Sequence, residues 1–129
     1  MKTFYRSFYK KEDNEDPENL VEIVKDALII KDKVEEDGVG YLRFCSVKQI
    51  KSMCLAAKIL KSSFESNPLI QNNHPHHYHK FMKMVGPHVD KLIDSNVSIH
   101  IKRKILQKGE LCKQILFTLL DANIPLTSS

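Results

Sequence analysis

Residues 46–64 read SVKQIKSMCLAAKILKSSF, and this stretch decides the fold class. Ser46 followed three residues later by Gln49 is a capping box: the hydroxyl takes a first-turn N–H while the glutamine reaches back to the cap. Ile50, Met53, Cys54, Ala57, Leu60 and Phe64 then recur at intervals of three and four, which is one apolar stripe of an amphipathic helix. Lys48, Lys51, Lys58 and Lys61 fall on the opposite side. A strand would alternate every second residue, and this segment does not.

The same signals recur on both sides. In DPENLVEIVKDALIIKDKVEEDG (16–38), Asp16 is placed to cap a helix and Pro17 to begin it. Leu20, Ile23, Val24, Ala27, Ile30 and Val34 make its stripe, and Gly38 is positioned to stop it. The segment VGYLRFC (39–45) reads as a short extended piece or a loop that carries Tyr41, Leu42 and Phe44 inward. ESNPLIQNNHP (65–75) reads as loop. A third helix is expected over 75–85, with Tyr78, Phe81, Met82 and Val85 inward. Pro87 breaks it, because proline cannot donate to the preceding turn. A short fourth helix would place Val89, Leu92 and Ile93 inward. Ser98 caps a fifth, with Ile101 and Ile105 inward and Gly109 as its stop. The last, 110–122, is the most apolar. The expected architecture is an all-α, compact bundle of five or six short helices. A charged and aromatic arm, residues 1–15 with Phe4, Tyr5, Phe8 and Tyr9, precedes a single helical domain, 16–125.

Composition suits such a domain. The chain has 129 residues, of which 42% are hydrophobic and 28% charged, enough apolar content for an unstapled core. No apolar run approaches the about 20 residues that a membrane helix needs. The first sixteen residues lack the apolar block of a signal peptide, so a soluble, intracellular location, cytoplasm or nucleus, is expected. Cys45, Cys54 and Cys112 are odd in number and widely spaced, which suits reduced core thiols better than a disulfide framework.

Charge is unevenly spread. Residues 12–37 hold eleven acidic and three basic residues, while 38–129 hold thirteen basic and five acidic, within an overall net charge of +4. An acidic segment followed by a basic body means either internal pairing or a basic surface for an acidic partner. The densest basic stretch is VSIHIKRKILQKGEL (97–111). On a helix that buries Ile101 and Ile105, the cations Arg103, Lys104 and Lys108 point to solvent with His100. Together with Lys48, Lys51 and Lys102 they form the candidate site for a nucleic acid or another polyanion, where each neutralised phosphate releases counterions. The plain alternative is a solvated helix side, and this stretch has no aromatic residue interleaved for base stacking.

Histidines cluster in HPHHYH (74–79), but no HExxH spacing is present, and exposed imidazoles at a helix start are the expected outcome. No metal or other cofactor is expected. No GxSxG and no phosphate-cradling glycine loop appears, so enzymatic activity is not expected either.

Residues 54–109 resemble a small basic protein of Maverick-type (Polinton) DNA transposons and related adenovirus-like insect elements. The positions that carry the resemblance are Cys54, Ala57, Leu60, Pro68, Leu69, Val97, Ser98, Lys102, Arg103, Lys104, Leu106, Gln107, Lys108 and Gly109. The family's segment continues with a second glycine where this chain has Glu110. The resemblance implies a viral or mobile-element protein, virion-associated or bound to nucleic acid. The leading expectation is therefore a non-enzymatic binding protein that uses a basic helical surface against a nucleic acid or an acidic protein. The alternative is a protein–protein adaptor or host-interaction module, with a homodimer among its forms.

Overall fold

The computed structural model describes residues 16–121 and 123–126, which form seven α-helices and two 3-10 segments, with no strand among them. The chain is all-α, as its periodicity predicts. The arm, with Phe4, Tyr5, Phe8 and Tyr9, lies outside the described residues. The helices are α1 (Leu20–Asp37), α2 (Val47–Ser66), α3 (Pro68–Asn73), α4 (Pro75–Met84), α5 (Val89–Ile93), α6 (Ile99–Leu106) and α7 (Leu111–Leu119).

The centre of the molecule is α2. It begins with the capping box: Gln49 N–H donates to Ser46 Oγ at 3.1 Å, and Ser46 N–H donates to Gln49 Oε1 at 2.9 Å. Helices α1, α3, α5, α6 and α7 all pack on it. That explains why it buries more than its apolar stripe. Ala56, Ser52 and Ser63 are fully buried beside Ile50, Met53, Cys54, Ala57, Leu60 and Phe64. Small residues there let neighbouring helices approach closely. Ser52 keeps its hydroxyl satisfied by donating to the Asp26 carboxylate on α1. Phe64 meets Phe81 and Tyr78 of α4, with ring centroids 5.5 and 5.6 Å away. An aromatic side chain buried this completely contributes about 1.5–3 kcal/mol relative to exposure.

Both glycine stops take positive φ, +82° at Gly38 and +49° at Gly109, as helix ends require. The Gly38 N–H closes α1 on the Val34 carbonyl at 2.8 Å.

Five expectations need correction. The cap of α1 is Asn19, which accepts from the Glu22 N–H at 3.0 Å; Asp16 and Pro17 precede the helix. Asn19 is as good a cap as aspartate, and it stands directly before the apolar stripe. Phe44 is 70% exposed rather than inward. Residues 39–44 form a 3-10 turn, in which positions three apart eclipse. Leu42 and Cys45 therefore share the buried side, while Tyr41 is partly buried against the core and its ring lies 6.3 Å from that of the outer Phe44. The stretch read as loop contains α3: Asn67 accepts from the Leu69 N–H, Pro68 starts the helix, and Ile70 is buried. From α3, Gln71 Nε2 donates to the Phe64 carbonyl at 2.7 Å and so satisfies the end of α2. Ile93 is 40% exposed, because Val89 and Leu92, three apart, already fill the narrow inner side of five-residue α5.

The fifth correction concerns α6. Ser98 caps it as expected, accepting from the Ile101 N–H at 3.2 Å. Ile101, however, is 48% exposed, while Ile105 is 7% exposed and Leu106 fully buried. Ile105 is inward as expected, and the inner side runs through Ile99, Lys102, Arg103, Ile105 and Leu106, leaving Ile101 outside it.

Candidate binding groove

The rotation of α6 rearranges the basic candidates. Arg103 is half-buried, and its Nη1 donates to the carbonyl oxygens of Leu42 (2.7 Å) and Cys45 (2.6 Å). Those carbonyls end the 3-10 turn, where the Leu42 oxygen also accepts from the Cys45 N–H at 3.2 Å. Arg103 is thus a structural clamp and not an outward-facing cation. Lys48 pairs with Glu22 at 3.6 Å and Lys51 with Asp16 at 2.8 Å. Two carboxylates of the acidic segment, Asp16 and Glu22, therefore pair with α2. Glu22 is further held by the Glu18 N–H, which donates to it at 2.6 Å and, with Lys48, keeps its carboxyl below the ordinary value.

His100 and Lys104 remain exposed one turn apart on α6, and Lys108 is exposed in the turn that follows it. The seven candidates do not form one continuous basic stripe. They divide into two on α2 paired with acids, one clamp, one lysine facing a groove, and three exposed on α6 or just after it.

That groove, about 710 Å3, lies between α2 and the α5–α6 segment. Its apolar wall comes from Leu55, Leu92, Ile93, Val97 and Ile99, with Cys54 at its floor. Lys51, Lys58 and Lys102 stand around it, and Asp16 marks its rim. Lys51 and Lys58 are seven apart and so lie on one line of α2, with Leu55 between them. Lys102 is brought opposite by the same helix rotation that seats Arg103. Of the sequence candidates, the structure therefore joins Lys51 and Lys102. It adds Lys58, Leu55 and Ile93, which the charge pattern alone did not select. The signal available for them was the i, i+4, i+7 spacing of Lys51, Leu55 and Lys58.

The thiols offer no nucleophile. Burial pushes Cys45 up to about 11 and both Cys54 and Cys112 up to about 12; Lys102 offsets part of the effect at Cys54 and Arg103 at Cys45. All three are free and buried. In the histidine cluster, His76 and His79 are exposed, while His77 Nε2 lies 3.0 Å from Asp121 Oδ2. Among the described residues no three histidine, cysteine, aspartate or glutamate side chains converge as a metal site requires. No helix among them is long and apolar enough to cross a membrane.

No family model, curated protein or solved structure matches this chain.

Proposed function

We propose that this chain is a non-enzymatic binding module, and that the groove between α2 and the α5–α6 segment receives a partner protein. The observation that carries this reading is the pairing of an exposed apolar wall, with Ile93 at 40% exposure, and a lysine rim in one concavity. Helical grooves of this kind take amphipathic segments through apolar anchors, with charges fixing orientation. The consumption of Lys48, Lys51 and Arg103 in internal contacts also favours it over a broad polyanion surface. The elevated, buried thiols speak against a nucleophilic role. The resemblance of residues 54–109 to a mobile-element protein adds a viral or mobile-element origin to the proposal.

A second reading is favoured by one observation. His100 and Lys104 on α6 and Lys108 just after it are exposed, and a nucleic-acid backbone would meet them there. One experiment separates the two. The protein is recovered from its native source after cross-linking, as wild type, as Ile93→Glu, and as the triple variant His100→Ala, Lys104→Ala, Lys108→Ala. The groove reading expects Ile93→Glu to lose the cross-linked protein and the triple variant to retain it. Retention by Ile93→Glu, with loss of bound nucleic acid by the triple variant, would replace it with the second reading.

A further inference from the structure

We infer that the occupant of the groove is an acidic, amphipathic helical segment, its apolar side on Leu55, Ile93 and Val97 and its carboxylates on Lys58 and Lys102. The inference rests on the groove reading above and names the chemistry of the partner.

Three observations support acidity. A carboxylate is already accepted at the rim, where Asp16 Oδ1 sits 2.8 Å from Lys51 Nζ. Asp16 precedes α1 and lines the groove without belonging to any helix. Lys58 and Lys102 have no acidic partner among the described residues, in contrast to Lys31 and Lys48, which pair with Glu35 and Glu22. Two cations beside apolar surface repel a basic segment and attract an acidic one, and this complementarity acts on both encounter rate and orientation.

Two further observations support a helix. The described residues contain no strand, hence no sheet edge on which an extended peptide could add backbone hydrogen bonds. The concavity, about 710 Å3, also suits the inner side of two or three turns of a helix about 10 Å across, seated with its outer side in water.

The test uses the full chain and three synthetic amphipathic peptides with an identical leucine stripe. Their polar sides carry glutamate, glutamine or lysine, and binding is followed by fluorescence anisotropy. The glutamate peptide is expected to bind at least tenfold more tightly than the lysine peptide. In the double variant Lys58→Glu, Lys102→Glu, with its helix content checked by circular dichroism, the order should reverse. Equal binding of glutamate and lysine peptides, or an unchanged order in the double variant, would overturn the inference. If the glutamine peptide still bound and Ile93→Glu abolished that binding, the groove would remain a protein site of different charge preference. Two other occupants are also detectable. Self-association lost in Ile93→Glu would assign the groove to a second copy of the chain. A short DNA duplex that binds the wild type but not the Lys58→Glu, Lys102→Glu variant would assign it to nucleic acid. Either result would overturn the acidic helix.

Discussion

Arg103 on α6 donates from Nη1 to the carbonyl oxygen of Leu42, 61 residues away in sequence, at 2.7 Å. The same nitrogen also reaches Cys45, so one cation fixes both the end of the 3-10 turn and the rotation of α6. Charged hydrogen bonds of this type contribute about 1.5–3 kcal/mol, and removing the donor takes a partner from both carbonyls, of which Leu42 keeps the Cys45 N–H. Arg103→Ala should therefore lower stability by about 1.5–3 kcal/mol in urea titration. Lys104→Ala, one residue on but exposed, should change it by no more than about 0.5 kcal/mol. Equal, small effects would mean that the clamp contributes little.

A second cross-helix contact joins Ser52, fully buried on α2, to Asp26 on α1. Its two ends are unequal. Asp26→Ala leaves a buried hydroxyl without its acceptor, at a cost of about 1–3 kcal/mol, whereas Ser52→Ala leaves a half-buried carboxylate that water can still reach. Asp26→Ala should be the more destabilising change in thermal unfolding, and Asp26→Asn should recover most of the loss. A larger loss from Ser52→Ala would contradict this asymmetry.

The thiols give a pH dependence. Burial raises each above the ordinary 9.0, to about 11 for Cys45 and about 12 for Cys54 and Cys112. The folded state thus retains protons that the unfolded chain releases. The stability contributed by the neutral thiols is complete below about pH 9 and declines as pH rises through 9 toward 11 and 12. Native labelling by a thiol reagent at pH 8 should be slow at all three positions and fast in denaturant. Rapid native labelling of Cys54 and Cys112 would place them outside the core.

Legibility in the sequence followed the strength of local signals. Ser46 with Gln49, and Gly38 and Gly109, specify their ends through backbone chemistry confined to a few residues, and all four act as read. The α2 stripe is legible because six apolar residues hold one phase over four turns. By contrast, α6 has eight residues, and Ile99, Ile101, Ile105 and Leu106 permit two phases. A tertiary bond from Arg103 to a turn far away in sequence selects between them, and no local pattern encodes it. Phe44 was misplaced because a 3-10 turn rotates side chains differently from a strand or loop. The groove was half legible: Lys51 and Lys102 were selected for charge, but their convergence with Lys58 depends on the same rotation of α6.

The rotation of α6 can be tested on its two isoleucines. Ile105 is 7% exposed and Ile101 is 48% exposed, although both carry the same side chain on the same helix. Ile105→Ala removes buried methyl groups and leaves a cavity beside Leu106, which costs about 2–5 kcal/mol. Ile101→Ala removes surface already half in water and should cost about 0.5 kcal/mol or less. Helix propensity works in favour of alanine at both sites, so the difference between the variants isolates burial. Chemical denaturation at one temperature measures it, with the slope of the transition checked for equality. A difference above about 1.5 kcal/mol is expected. Equal losses at both positions would restore the phase in which Ile101 and Ile105 share the core. Arg103 would then turn to solvent and release the carbonyls of Leu42 and Cys45. Lys102 would also leave the groove, removing one of the two lysines on which an acidic partner depends.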